Sequence, residues 1–258
     1  AAMVEHYTGI ELDKSESRTD WTKRPLTQKQ LDYASADVDH LFQLYPKFIA
    51  EIEQADRLDY AKQETQLLID KKFTPIDEDN LYSQMKLACR LNSKQLNTLQ
   101  HLTRWRFQQA KKRDLPIGFV AKDHTIVAVA QHNPQNIEVM NKLKGAELLD
   151  IRHKGKSMLS IVKLASQTSE SDYPAQITRL DDYPGYKQIF KAVKAFILNI
   201  AEQQGLAIEN LASKKQINQF LAWHLNVNDV RALESSSNLS IPNVDILKGW
   251  RNELFGNV

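Results

Sequence analysis

Displaced by 91 positions, the sequence meets a second copy of its own apolar pattern. Leu99 falls on Phe190, Leu102 on Val193, Trp105 on Phe196 and Ala110 on Ala201. The register continues without a gap, placing Leu115 on Leu206, Val120 on Leu211, Ile126 on Ile217 and Val129 on Phe220. Apolar positions that keep step at helical spacing describe one small helical unit used twice. Units of about 80 residues can fold alone, with modest stability, because small domains bury a smaller share of their surface. Strand-like alternation is nearly absent along the whole chain, so the predicted fold class is all-α, built by helix-on-helix packing.

The helices can be placed from their stripes and their punctuation. Thr27 followed by Gln30 matches a capping box, and helix is expected from there to about residue 72. Leu31, Ala34, Val38, Leu41, Phe42 and Tyr45 follow the three-and-four spacing of one buried stripe. Pro46 lacks the N–H that a helix interior needs and should end or kink this helix. A connector pattern then runs through Phe48, Ile49, Ile52, Leu58, Ala61 and Leu67. Lys71 to Asp79, with Pro75, reads as a linker.

A long helix is expected from Ser93 to Arg113, stopped by Asp114-Leu115-Pro116. Shorter helical patterns follow near Ile126–Ala130, Ile137–Leu143 and Met158–Ala165. The polar stretch 166–185, with Pro174, Pro184 and Gly185, reads as a second linker. Three domains are therefore expected, over residues 1–72, 77–166 and 184–258.

Net charge of +2 conceals an uneven distribution. Residues 77–165 hold 15 Lys and Arg against 8 Asp and Glu, a net of +7, while the flanking thirds are net acidic. Clustered positive charge on one module suits a polyanionic partner. Arg104, Arg106, Lys111, Lys112 and Arg113 form the densest group. Their counterparts 91 positions on are Ala195, Ile197, Glu202, Gln203 and Gln204. Two copies that agree on core and differ on surface point to the first as the nucleic-acid contact and the second as spacer. The plainer reading of the same residues is a solvated helix face.

Other function classes find little support. No apolar run approaches the ~20 residues that a membrane span needs, and the opening residues lack the pattern of a signal peptide. A single cysteine, Cys89, allows no intramolecular disulfide and no thiolate zinc site, and fits a cytoplasmic protein. It is expected to be a buried, inert thiol. Trp105 could stack on a base, but its place in the repeat's apolar stripe makes it core. His124 and His132 lie too far apart to suggest a local metal pair, and the histidines at 6, 40, 101, 153 and 224 are given no role. Ser15 and Ser17 form no nucleophile motif, and no Gly-rich phosphate loop is present.

Tyr33 and Asp37 stand four apart, so a phenol and a carboxylate leave the same face of the first helix. Taken alone, that pair is what a half-buried aromatic and a solvated charge produce. Asp32 and Asp39 flank it, and helical rotation should aim them elsewhere. The surrounding stretch from Leu12 to Tyr45, LDKSESRTDWTKRPLTQKQLDYASADVDHLFQLY, resembles the end of the exonuclease domain of ribonuclease D. The family's third motif, Tyr-x-x-x-Asp, matches Tyr33-Ala34-Ser35-Ala36-Asp37, with Asp13-Lys14-Ser15 and Thr19-Asp20-Trp21 similar to the segment upstream of it. The repeated helical unit resembles the HRDC domain through Leu102, Trp105-Arg106, Ala110, Asp114-Leu115-Pro116 and Asn133-Pro134. Ribonuclease D typically carries two such domains, and the second copy here, ending near Trp250-Arg251, is more divergent.

The resemblance implies a helical remnant of an α/β exonuclease domain followed by two HRDC-like domains. It further implies Mg²⁺- or Mn²⁺-dependent, two-metal hydrolysis from the RNA 3′ end, with tRNA precursors as substrate. Asp37 would then be a metal ligand, and Tyr33 would hold the attacking water by a hydrogen bond that leaves the metal's charge intact. The family's first motif, Asp-x-Glu on a strand, and its second acidic motif have no counterpart in this sequence. The chain therefore looks like the C-terminal portion of such an enzyme, expected to be inactive by itself. The rival reading is a non-catalytic nucleic-acid-binding module in which Tyr33 and Asp37 are structural. A helicase accessory region fits less well, because no ATP-binding motif accompanies the repeats.

Overall fold

The computed structural model describes residues 2–227 and 244–255. The described residues contain helices and turns and no strand. Two compact units divide the chain, Ala1–Thr74 and Pro75–Val258.

The first unit consists of helix α1 (Ala2–Thr8), a loop with one 3-10 turn (Ser15–Arg18), and two longer helices, α2 (Gln28–Gln54) and α3 (Leu58–Phe73). The expected capping box opens α2: the Thr27 hydroxyl accepts from the Gln30 N–H, and the Gln30 side chain accepts from the Thr27 N–H. Pro46 does not end this helix, which runs on for two further turns to Gln54. The break comes instead at Asp56, whose left-handed backbone (φ 55°) a helix cannot contain.

The stripe predicted to be buried is not. Leu31, Val38, Leu41, Phe42 and Tyr45 are all exposed, Phe42 to 80%, and only Gln30 and Leu44 of α2 are buried. Periodicity reports that a helix has an apolar face; whether another layer covers it is a tertiary fact, and none of the described residues does so here. Leu68, Ile69 and Phe73 of α3 are exposed as well.

The second unit begins with short turns at Leu81–Gln84 and Ala88–Arg90 and then α4 (Ser93–Arg113), α5 (Ile117–Val120), α6 (Asp123–His132), α7 (Ile137–Asn141) and α8 (Leu148–Ala165). α4 is the spine, capped by an Asn92–Gln95 box, with Leu96, Leu99 and Leu102 fully buried against α6 and α8. Ile126, Val129, Met140, Ile151 and Met158 complete this core, and Trp105 and Cys89 pack at its edge, each only partly buried. α8 starts ten residues before the expected Met158, because its first turns (LLDIRHKGKS) are polar enough to hide the stripe.

The second copy repeats these elements as α9 (Tyr186–Gln203), α10 (Ile208–Leu211) and α11 (Lys214–His224), followed by α12 (Gly249–Phe255). α10 and α11 begin 91 positions after α5 and α6, at Ile208 and Lys214 against Ile117 and Asp123. The turn after the long helix recurs too. Asp114 (φ 51°) and Gly205 (φ 58°) both take the left-handed conformation. In each copy the next residue donates its N–H back to the helix, Leu115 to Ala110 and Leu206 to Ala201. Val120 and Leu211, and Ile126 and Ile217, are buried pairs; Phe196 is more open than its partner Trp105, at 40% exposure.

The connection 166–185 is more than a polar linker, since Ile177 and Leu180 within it are buried and Ile177 joins the first copy's core. Residues 228–243 and 256–258 of the second expected domain lie outside the described residues.

Candidate functional site

The N-terminal loop and α2 together line an open cavity of about 500 Å³ in the first unit. Tyr33 and Asp37 both line it, one turn apart. The loop is fixed to the helix by a few specific bonds. Trp21 donates its indole N–H to the Glu16 carbonyl at 3.1 Å and lays its ring against Tyr33, with centroids 5.9 Å apart. Buried Gln30 donates to the Thr19 hydroxyl at 3.2 Å, so the capping residue also ties down the loop. Tyr33 is thereby half-buried on one side while Asp37 is open to solvent.

The cavity takes in more than the predicted pair. Asp32 lines it, contrary to the expectation that helical rotation aims it away, because the loop spans two adjacent rows of the helix. Asp39 keeps to the expectation and accepts from the Ser35 hydroxyl at 2.8 Å. His40, given no role from the sequence, also lines the cavity, with Nδ1 buried and no hydrogen-bond partner. Its spacing held the signal: seven residues after Tyr33 and three after Asp37 is the same helix face. From the loop come Glu11, Asp13 and Glu16. The Ser15 N–H and hydroxyl both donate to Asp13, which holds that carboxyl below its ordinary value.

These groups do not amount to a metal cluster. Among the described residues no three His, Cys, Asp or Glu side chains gather in a way that could hold an ion. The positive charge of two divalent cations needs several converging carboxylates for compensation. Asp37 and its neighbours do not fit a complete two-ion centre by themselves.

The basic residues of α4 divide into two sets. Arg106 is 4% exposed, donating to the Ala121 carbonyl at 3.1 Å and to Asp123 at 2.6 Å, with Met85 Sδ beside it. It is a core residue and not the surface cation expected. Its position, four after Leu102 and four before Ala110, already placed it on the buried stripe. Arg104 is paired with Asp79. Lys111, Lys112 and Arg113 are exposed at the helix's C-terminal end.

Three family models match the chain: "3'-5' exonuclease" over residues 1–53, "HRDC domain" over 95–162 and "Ribonuclease D, C-terminal HRDC domain" over 184–258. Ribonuclease D of Serratia proteamaculans is 38% identical over 254 residues, covering 98% of this chain and 65% of the relative. That of Escherichia coli is 37% identical, again with 65% of the relative covered. Ribonuclease D of Psychromonas ingrahamii is 32% identical over 259 residues and is covered to 68%. The chain belongs to the ribonuclease D family. The crystal structure of Escherichia coli RNase D, described as an exoribonuclease involved in structured RNA processing, superimposes with a TM-score of 0.88 at 35% identity. This match covers the whole of this chain and 66% of that one. The chain thus spans about two thirds of the length of these ribonuclease D relatives.

Proposed function

We propose that the chain supplies one wall of the active site and the RNA-holding helical domains of a 3′→5′ exoribonuclease that trims tRNA precursors. The observation that carries this is the shared cavity. Tyr33 and Asp37, which match the family's third motif, face one opening together with the loop that the exonuclease model also covers. In the whole enzyme Asp37 contributes one carboxylate to Mg²⁺ or Mn²⁺ binding, and Tyr33 orients a water by its phenol. Alone, the chain holds such ions weakly and does not hydrolyse RNA, because a single matched carboxylate leaves the ions' charge uncompensated. Domain borders at 1–72, 77–166 and 184–258 are supported by the division at Thr74 and Pro75 and by the three family matches.

RNA is held by phosphate contacts from the first HRDC-like domain, and of the predicted basic group on α4 Lys111, Lys112 and Arg113 are exposed and placed to make them. Arg104 and Arg106 are withdrawn from this role by Asp79 and by burial. Calorimetric titration of Mn²⁺ into a polypeptide extended to the relatives' length tests the carboxylate's role. Asp37→Ala should weaken the binding at least about tenfold; unchanged binding would leave the chain a non-catalytic nucleic-acid module, its rival reading.

A further inference from the structure

A second cavity, of about 570 Å³, opens between α7 and α8 on the first HRDC-like domain. Its apolar lining is Ile137, the exposed Leu148 and the buried Ile151; its polar lining is Asn141, Arg152, His153 and Lys156. The two helices meet closely because residue 155 is glycine. A Cβ there would stand 2.9 Å from Ile137 Cδ1, so the missing side chain is what lets α7 settle on α8 and bring Ile137 into the lining.

The cavity's charge is one-sided. No carboxylate lines it. The two acids at the start of α8 are turned toward α6. Asp150 accepts from the Lys122 N–H at 2.7 Å and the Thr125 hydroxyl at 2.8 Å, and Glu147 lies 3.8 Å from His124. Arg152, His153 and Lys156 are exposed, and their side chains have no hydrogen bond or ion pair among the described residues. Arg152 and Lys156 stand one turn apart on the same face as Leu148, which is 63% exposed. An apolar lining beside exposed cations, with no carboxylate among them, is complementary to a ligand that is both apolar and anionic.

We infer that this cavity binds a nucleotide of single-stranded RNA. The base lies on Ile137 and Leu148, against the His153 ring, a surface on which unstacked bases rest. Lys156 and Arg152 take the adjoining phosphates, and the Asn141 amide faces the base edge. A duplex cannot offer a free base face, so single strands are preferred. This site rests on the first HRDC-like domain being an RNA-holding module, and it adds a base-binding contact on α8 to the phosphate contacts at the end of α4.

The test is fluorescence anisotropy of the full 258-residue chain with a labelled single-stranded RNA dodecamer, its duplex and a mononucleotide competitor, over a salt series. The substituted residues are exposed, and thermal melts of each variant check the fold. Arg152→Ala with Lys156→Ala should weaken single-strand binding by at least about tenfold and reduce the salt slope by about 1.4, the value for two phosphates on a single strand. Leu148→Asn should weaken it without changing the charge of the site. If the unsubstituted chain binds RNA but the 152/156 pair changes nothing while Lys111→Ala, Lys112→Ala and Arg113→Ala abolish binding, the cavity is overturned and RNA holding stands. If the duplex binds as well as the single strand, or an acidic polypeptide displaces the RNA at equal charge, the base-binding cavity is likewise overturned. Should the unsubstituted chain bind no RNA at any salt, RNA holding itself fails, and the cavity with it.

Discussion

Arg106 and Lys112 look alike in sequence and do opposite work in the fold. Arg106 satisfies the Ala121 carbonyl from inside the core, whereas Lys112 projects into solvent. Arg106→Ala should lower stability by about 2–3 kcal/mol, since a buried carbonyl loses its donor and a cavity forms. Lys112→Ala should stay within about 0.5 kcal/mol of the parent. Urea denaturation of the two variants checks both. His101 offers a pH-dependent case. Its half-burial, then the nearby Arg104, hold the imidazole below its ordinary value of 6.5, with Asp79 opposing. The fold therefore favours the neutral ring, and the unfolded chain takes up the proton first as pH falls. Stability is full above 6.5 and is lost as pH falls through that value toward the lowered one. Denaturation midpoints at pH 7.5 and 5 should differ less in His101→Gln than in the parent.

At the scale of the elements, caps and repeat were legible because they are local. A hydroxyl three residues before an amide can satisfy two helix-end donors whatever the rest of the chain does. Thr27→Ala should accordingly cost about 1 kcal/mol in the first unit, and because Gln30 also holds the loop at Thr19, Trp21 fluorescence should report the loosening. The repeat carries its own prediction. Gly205 takes the left-handed turn without strain, while Asp114 takes it against the clash of its Cβ. Asp114→Gly should raise stability by about 0.5–1 kcal/mol, the relief of strain exceeding the entropy that glycine adds to the unfolded chain; thermal melting with unchanged helicity checks this. What periodicity missed were features set by a second element. The α8 start was masked by charges facing outward, and Ile177 and Leu180 are isolated anchors with no stripe to announce them. Asp32 joins Tyr33 and Asp37 only because the loop is broad enough to span two helix rows.

For the molecule as a whole, the sequence revealed the helical class, the duplication and the kinship of residues 1–53 to a 3'-5' exonuclease, but not the open state of α2. Val38, Leu41, Phe42 and Tyr45 form a contiguous apolar face with no layer upon it among the described residues. Patches of that kind bind apolar probes and promote association. A solvatochromic dye should brighten with the native chain, and Val38→Glu with Phe42→Lys should remove most of that signal while leaving helicity intact. Family and activity separate in the same way: membership rests on ribonuclease D relatives matched along nearly the whole chain, whereas the proposed hydrolysis would require further carboxylates beside Asp37, and the described residues bring no metal-holding trio together. The most direct measurement is 3′ trimming of a tRNA-precursor RNA by the purified chain in Mg²⁺ or Mn²⁺, followed on a sequencing gel. The RNA should be bound and remain full length; Mg²⁺-dependent shortening that Asp37→Ala abolishes would contradict the claim that this chain holds only one wall of the active site.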